Sequence, residues 1–407
     1  MTRFTPYQRR LFVLLSAANF FEGYDFFALG QILPNLRADF ALSEAAGGRL
    51  VGLIGLGTIL SYWLVRLADR WGRRQVLMIT ILGYAVFTGL TGFSQGVWDF
   101  GVYQLFARIF LIAEWALAMV YAAEEFPAAR RGLAIGMLQA WSALGSIVCA
   151  GVVPFLLKTD YGWRSVYFVG IIPLLLLAYA RRGLRETERF SRLAAAGPLP
   201  SRSLFEILAS PYRRRVVQLA LIWGFTYICT QNAVFFWKEF AVSERGLTDG
   251  QVGLAIAIAS LVSLPLVFGV GRLFDGWGRR PSAVLICGLL AGSVVAAYQA
   301  TGYWVLVGAL TFAVFANASI LSLLNSFTTE LFPTEWRGDA FAWANNLLGR
   351  IGYVIGPIVV GAAAGSVGWG NAVSLTAISV VVALVLILAW LPETKGKELE
   401  ETARLAP

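Results

Sequence analysis

Apolar residues run along this chain in long blocks, and polar residues collect in the short segments between them. Windows of about 18 or more mostly apolar residues, the length a helix needs to cross a bilayer, fall at 11–33, 47–66, 76–94, 99–123, 133–157, 165–180, 215–237, 250–271, 282–300, 303–329, 339–364 and 370–391. The pattern predicts twelve membrane-spanning helices and an all-α membrane protein. One block is interrupted in an unusual way. "FFEGYDFFALG" (20–30) puts Glu22 and Asp25 among Phe, Ala and Leu, where a charge at bilayer depth costs on the order of 2.5–3.5 kcal/mol and so marks a cavity or a partner.

Composition strengthens this reading. The chain is 58% hydrophobic and 14% charged, against about 45–50% and about 25% in soluble domains. The basic residues orient the helices: twenty-five Lys and Arg lie in segments on one side and six on the other, with Arg108 and Arg350 left in mid-helix. This bias predicts a multi-pass protein of the inner (cell) membrane with both termini cytoplasmic. The net charge of +9 is then an orientation signal, and nucleic acid is not expected as a partner. No cleavable leader is expected, because the first block is long and carries Glu22 and Asp25 in place of a small-residue cleavage site. Cys149, Cys229 and Cys287 fall in apolar blocks and read as packing residues, neither a disulfide framework nor a metal site.

Two motifs repeat at one offset. "RLADRWGRR" (66–74) returns as "RLFDGWGRR" (272–280), and "EEFPAARRG" (124–132) returns as "ELFPTEWRG" (330–338), each 206 residues later. A shared offset implies a duplicated half. Each half holds six blocks, an even number, so the halves enter the membrane in the same orientation as parallel repeats. The expected organisation is a six-helix half over 1–180, a cytoplasmic linker over 181–213 with a short interfacial helix near "SLFEILAS", a second six-helix half over 214–391 and a cytoplasmic tail over 392–407.

These motifs, with the terminal "LPETKGKELEE" (391–401), resemble the major facilitator superfamily over essentially the whole chain. "EGYD" (22–25) is similar to the first-helix signature of the aromatic-acid/proton symporters, with Glu22 in place of an Asp, and "NNLLGRIGYVIGP" (345–357) resembles their eleventh helix. The resemblance implies that Glu22 and Asp25 serve proton coupling and that Arg350 helps hold an anionic substrate. Departures exist. Val65 stands where the loop motif opens with Gly, although Gly271 keeps it in the second copy; the sugar-porter signature is missing from the seventh helix and the antiporter Gly-Pro run from the fifth.

Depth supports the same residues. At about 1.5 Å per residue, Glu22 and Asp25 lie roughly 18 and 22 Å above Arg10, and Arg350 roughly 20 Å above Arg337. Glu22 and Asp25, three apart, share a helix face with Asn19. With no histidine in the chain, a proton carrier must be a carboxylate, and Asp25 is the leading candidate, followed by Glu22 and Glu114; a fixed ion pair with Arg108 or Arg350 is the alternative for either first-helix acid. Arg350 is the expected anion ligand, because a guanidinium grips a carboxylate through two hydrogen bonds. Arg108, Tyr24, Gln139, Trp141, Tyr227, Gln231, Asn232, Asn317, Asn346 and Tyr353 complete the expected substrate contacts, a mix of aromatic and amide groups suited to a small, partly apolar acid. Polar side chains that only join helices are the alternative for each.

The basic-end loops suggest gates. Asp69, Arg70, Arg73, Glu124 and Arg131, with Asp275, Arg279, Glu330 and Arg337 in the second copy, can form pairings that break as the halves rock. Some matches carry nothing: "GFSQG" (92–96) has the hydrolase pattern but no histidine to act as base, and "NAS" (317–319) lies inside an apolar block. No phosphate loop is visible. The expected function is therefore secondary active transport: proton-coupled uptake of a small organic anion by alternating access, in a monomer, with no enzyme activity and no cofactor beyond the coupling proton. The alternatives are a sugar, polyol or organic cation as cargo, export, or a receptor that no longer transports.

Overall fold

The computed structural model describes residues 4–187, 190–191, 203–397 and 399–402. Among them there are helices and turns but no strand. In the first part run α1 (Pro6–Asp39), α2 (Glu44–Trp71), α3 (Arg73–Gly92), α4 (Val97–Glu125), α5 (Ala128–Leu156) and α6 (Arg164–Ala180). One turn, α7 (Glu206–Ala209), falls where the interfacial helix was expected. Then come α8 (Arg213–Phe235), α9 (Trp237–Ser243), α10 (Asp249–Trp277), α11 (Arg279–Gln299), α12 (Tyr303–Glu330), α13 (Thr334–Phe341), a π-helical segment (Ala342–Gly349), α14 (Ile351–Ser374), α15 (Ala377–Trp390) and α16 (Leu399–Thr402).

Among the described residues, ten stretches are long and apolar enough to cross a membrane. One more crossing is the pair α8 and α9, bent by 43° at Phe236. One stretch, Glu335–Trp390, has 56 residues, about 84 Å of helix and far more than one crossing of about 30 Å. It breaks at Gly368, whose φ of 81° a side chain rarely adopts. Twelve crossings result among the described residues.

Local signals start the helices as the sequence dictates. Thr5 and Gln8 form a reciprocal capping box ahead of α1, with Pro6 in the first turn where its missing N–H costs nothing. Thr248 and Gln251 do the same for α10.

Contacts divide the chain into two units, Met1–Phe40 with Leu53–Ser201, and Ala41–Gly52 with Arg202–Pro407. Within the first, α1 packs along α5, and α3 along α4 and α6; within the second, α8 packs along α14, and α11 along α12 and α15. The two units thus repeat one packing scheme, as the offset of 206 residues requires. The first turns of α2 group with the second unit because Gly48 lies against α14, where an added Cβ would sit 2.8 Å from the Gly361 Cα. In the first unit α1 and α5 cross at Gly23 and Gly145, and a Cβ on either would collide with the backbone of Ser142 or Phe20. That crossing sets the site described next.

Candidate functional site

In the first unit, Glu22, Asp25 and Arg108 are only 8%, 8% and 6% exposed. Because Gly23 lets α5 approach, the Ser142 hydroxyl donates to Glu22 Oε2 at 2.6 Å and the Ser146 hydroxyl to the Gly23 carbonyl at 3.0 Å. Asp25 turns toward α3: its Oδ2 accepts from the Tyr84 hydroxyl in a short hydrogen bond and from Thr88 at 3.4 Å. Arg108 lies over the Phe26 ring at 4.7 Å, and its charge acts on both carboxylates. Two acids and one guanidinium therefore share a buried pocket whose hydrogen-bond donors come from α3 and α5.

The structure engages several of the expected residues elsewhere in the first unit. Glu114, expected to take part in proton coupling, is bound elsewhere: it accepts from Arg181 in a short ion pair and from Thr80 at 2.6 Å, with its side chain 2% exposed. Arg181, counted by its sequence position as a linker residue, is fully buried at the end of α6 and also donates to the Leu14 carbonyl at 3.3 Å. Tyr24, expected to meet substrate, faces α6, with its hydroxyl on the Val166 carbonyl at 3.3 Å. Asn19 Nδ2 donates to the Leu15 carbonyl at 2.8 Å, while its buried Oδ1 makes no hydrogen bond among the described residues. Gln139 is exposed and accepts from Trp115 at 3.4 Å, and Trp141 is exposed too, so neither joins the acid pair through a described contact.

In the second unit, Arg350 sits where the π-helical segment returns to α-helix, its amide bonding the Asn345 carbonyl five residues back at 3.1 Å. Such π segments cluster at functional positions. The Tyr227 and Tyr353 rings meet edge to face at 4.5 Å, and Tyr227 donates to Asn345 at 2.9 Å. The Arg350 guanidinium stands 5.8 Å from the Tyr353 ring, and its buried Nε makes no hydrogen bond among the described residues. Gln231 and Asn346 are half-buried nearby in sequence. Asn232 is fully buried against Gly356, with Nδ2 on the Ile228 carbonyl at 2.6 Å, and Asn317 donates to the Thr230 carbonyl at 3.2 Å.

The loop motifs build the same clasp twice. Arg73 pairs with Asp69 at 3.0 Å and Glu124 at 3.4 Å, and Glu124 accepts from Thr187 at 2.5 Å. Arg279 pairs with Asp275 at 3.2 Å and Glu330 at 3.0 Å, and Glu330 accepts from Thr394 at 2.5 Å. The first amides of α3 are capped by Glu186, and those of α11 by Glu393. Gly72 and Gly278, at φ of 99° and 101°, precede these helices because a Cβ would strike the capping carboxylates. Arg70 is exposed, Arg337 holds the Phe332 carbonyl at 3.3 Å, and the side chain of Arg131 lies outside the described residues.

Glu393 gives a test of the clasp. Burial pushes its carboxyl up, but the amides of Arg280, Arg279, Lys395 and Thr394 outweigh this and hold it below the usual 4.5. A lowered carboxyl contributes stability above the ordinary value and loses it as pH falls through the lowered one. Glu393→Gln should remove about 1 kcal/mol of capping, read as a roughly fivefold loss of hydrogen-exchange protection at the Arg279 and Arg280 amides. Unchanged protection there would mean the cap is ornamental.

A model of the Major Facilitator Superfamily matches residues 15–352. The chain belongs to that superfamily. A Haemophilus influenzae protein named for metabolite transport is 32% identical to this transporter over 93% of its chain and 95% of the relative. The gallate transporter of Pseudomonas putida is 28% identical over 88% and 85%. Among solved structures, a D-xylose–proton symporter aligns with TM-score 0.77 at 20% identity, covering 96% of this transporter and 99% of that chain, which establishes the fold. It is a multi-pass membrane transporter of small molecules, not an enzyme. Sequence reasoning missed Tyr84, Thr88, Glu186 and Glu393 as parts of this transporter's polar sites. Thr80, Tyr84 and Thr88, spaced by four, form a polar stripe on one face of apolar α3, and that spacing was the available signal.

Proposed function

We propose that this transporter takes up a small organic anion together with a proton by alternating access, with Asp25 as the proton carrier and Arg350 as the anion ligand. The observation that carries the proposal is Arg350 itself, a guanidinium with an unspent buried Nε set among Tyr227, Tyr353 and Asn345. A fixed cation flanked by aromatic faces suits a carboxylate on a flat, partly apolar body. The gallate transporter of Pseudomonas putida, named for an aromatic carboxylate, supports the same class. Asp25 and Glu22, buried under the charge of Arg108 in a chain without histidine, supply the titratable group. In this reading the two clasps are gate elements, the coupling ion is the proton, the protein works as a monomer in the inner membrane, and both termini lie in the cytoplasm.

Uptake into liposomes tests it, using gallate, benzoate and short aliphatic carboxylates against xylose and a polyol, with and without an inward proton gradient. Arg350→Lys, which keeps the charge but loses the forked geometry, should raise KM for the preferred carboxylate at least tenfold, about 1.4 kcal/mol, with its response to the proton gradient retained. Carboxylates ignored while xylose accumulates would sink the anion assignment. One observation favours that second reading: the buried Oδ1 atoms of Asn232 and Asn317 and the Thr226 and Thr230 hydroxyls make no hydrogen bond among the described residues, and such groups suit a hydroxylated neutral cargo.

A further inference from the structure

A phenol carries one hydrogen to donate and lone pairs to accept with. The Tyr84 hydroxyl, on a side chain almost fully buried in α3, lies within hydrogen-bonding reach of two acceptors on α1, the Phe21 carbonyl at 3.0 Å and Asp25 Oδ2. It cannot donate to both at once. We infer that Tyr84 is the positioning residue of the proton step at Asp25, its single hydrogen turning between the carboxylate and the Phe21 carbonyl according to whether Asp25 is charged. With Asp25 ionised, the phenol donates to Oδ2. When a proton arrives on Asp25, the new carboxyl O–H donates to the phenol oxygen, and the phenol hydrogen rotates to the Phe21 carbonyl. The proton gained and lost is the one on Asp25, and the Tyr84 O–H bond never breaks. In both states Asp25 Oδ2 and the Tyr84 hydroxyl keep hydrogen-bond partners without water, which a buried carboxyl needs if it is to turn over instead of locking in one form.

The other groups facing this pocket leave the role to Tyr84. Glu22 and Tyr24 approach on α1, Arg108 on α4, Cys149 on α5 and Tyr167 on α6. Glu22 is tied to Ser142, and Tyr24 to Val166. Thr88 is farther from Oδ2, at 3.4 Å. Tyr167 is equally buried but its hydroxyl makes no hydrogen bond among the described residues.

The inference rests on Asp25 being the proton carrier, and the test separates the two. Proton-driven uptake of gallate, or of the carboxylate accumulated best in the panel above, is followed against pH in liposomes for the parent, Asp25→Asn, Tyr84→Phe and Tyr167→Phe. Tyr84→Phe takes a donor from the ionised acid, so its alkaline limb should move up by about one pH unit, a tenfold change in proton affinity. Substrate counterflow, which needs no net proton release, should be slowed less than driven uptake, a split that mere misfolding would not produce. Incorporating 3,5-difluorotyrosine at position 84 keeps the hydroxyl and strengthens it as a donor, and should move the limb the opposite way, which keeps the test alive if Tyr84→Phe folds poorly. Asp25→Asn losing accumulation while both position-84 variants overlay the parent would overturn the role of Tyr84 alone. An equal shift in Tyr167→Phe would overturn it as well. Undiminished accumulation by Asp25→Asn would instead remove the carrier assignment beneath it.

Discussion

Asp25→Asn is expected to abolish accumulation driven by a proton gradient while leaving exchange of labelled for unlabelled substrate. The amide has the shape of the acid and still offers an oxygen to the Tyr84 and Thr88 hydroxyls, so packing in the first unit is retained. It cannot gain or lose a proton in any accessible range, so the link between the gradient and the cargo is cut. For one proton per substrate, an inward gradient of one pH unit is worth about 1.4 kcal/mol and can hold a roughly tenfold concentration ratio. The parent should approach that ratio in liposomes with the membrane potential clamped, and the variant should stop near equality. Glu22→Gln is the companion measurement. If it, and not Asp25→Asn, loses the gradient response, the carrier is the acid held by Ser142, and α5 displaces α3 as the helix that governs coupling.

What the sequence disclosed and what it hid follow from how far apart the interacting residues are. Membrane helices announce themselves in a single window, because an 18-residue apolar run has few other uses, and the crossings duly lie where the blocks do. The bend at Phe236 and the π-helical turn before Arg350 were not legible, since both depend on what packs against them. The repeats at offset 206 exposed Asp69, Arg73 and Glu124 with their second copies. The capping residues escaped for a simple reason: "LRET" (184–187) returns as "LPET" (391–394) at offset 207. Segments outside the membrane tolerate single-residue insertions, and that slip of one hid the third repeated element. Charge counting failed where a basic residue at a helix end was assumed to reach water. Arg181 is buried against Glu114, 67 residues away in sequence, and Lys238, one of the six basic residues assigned to the sparser side, is buried in α9 and paired with Asp249 at 2.6 Å. No local pattern distinguishes such a residue from one that snorkels.

The same buried pair should give the largest stability effect of any substitution in the first unit. Arg181 has a fully buried side chain, and Glu114 is exposed by 2%; Thr80 supplies the carboxylate with a second donor and Leu14 gives the guanidinium a second acceptor. Removing one member strands the other as an uncompensated charge, at a cost of about 3–5 kcal/mol. Arg181→Met should therefore lower the thermal midpoint of the detergent-solubilised protein sharply and cut its yield. Arg181→Met combined with Glu114→Leu removes both charges and fills the space with apolar atoms, a replacement that is commonly neutral, so the double variant should recover most of the loss. That recovery is the discriminating result, because independent packing defects would add instead of cancelling. Glu114→Gln decides between the structural role and the coupling role first suggested by its sequence. A variant that melts early yet still responds to the proton gradient assigns Glu114 to holding α3, α4 and α6 together. One that melts like the parent and no longer couples would return it to the proton path.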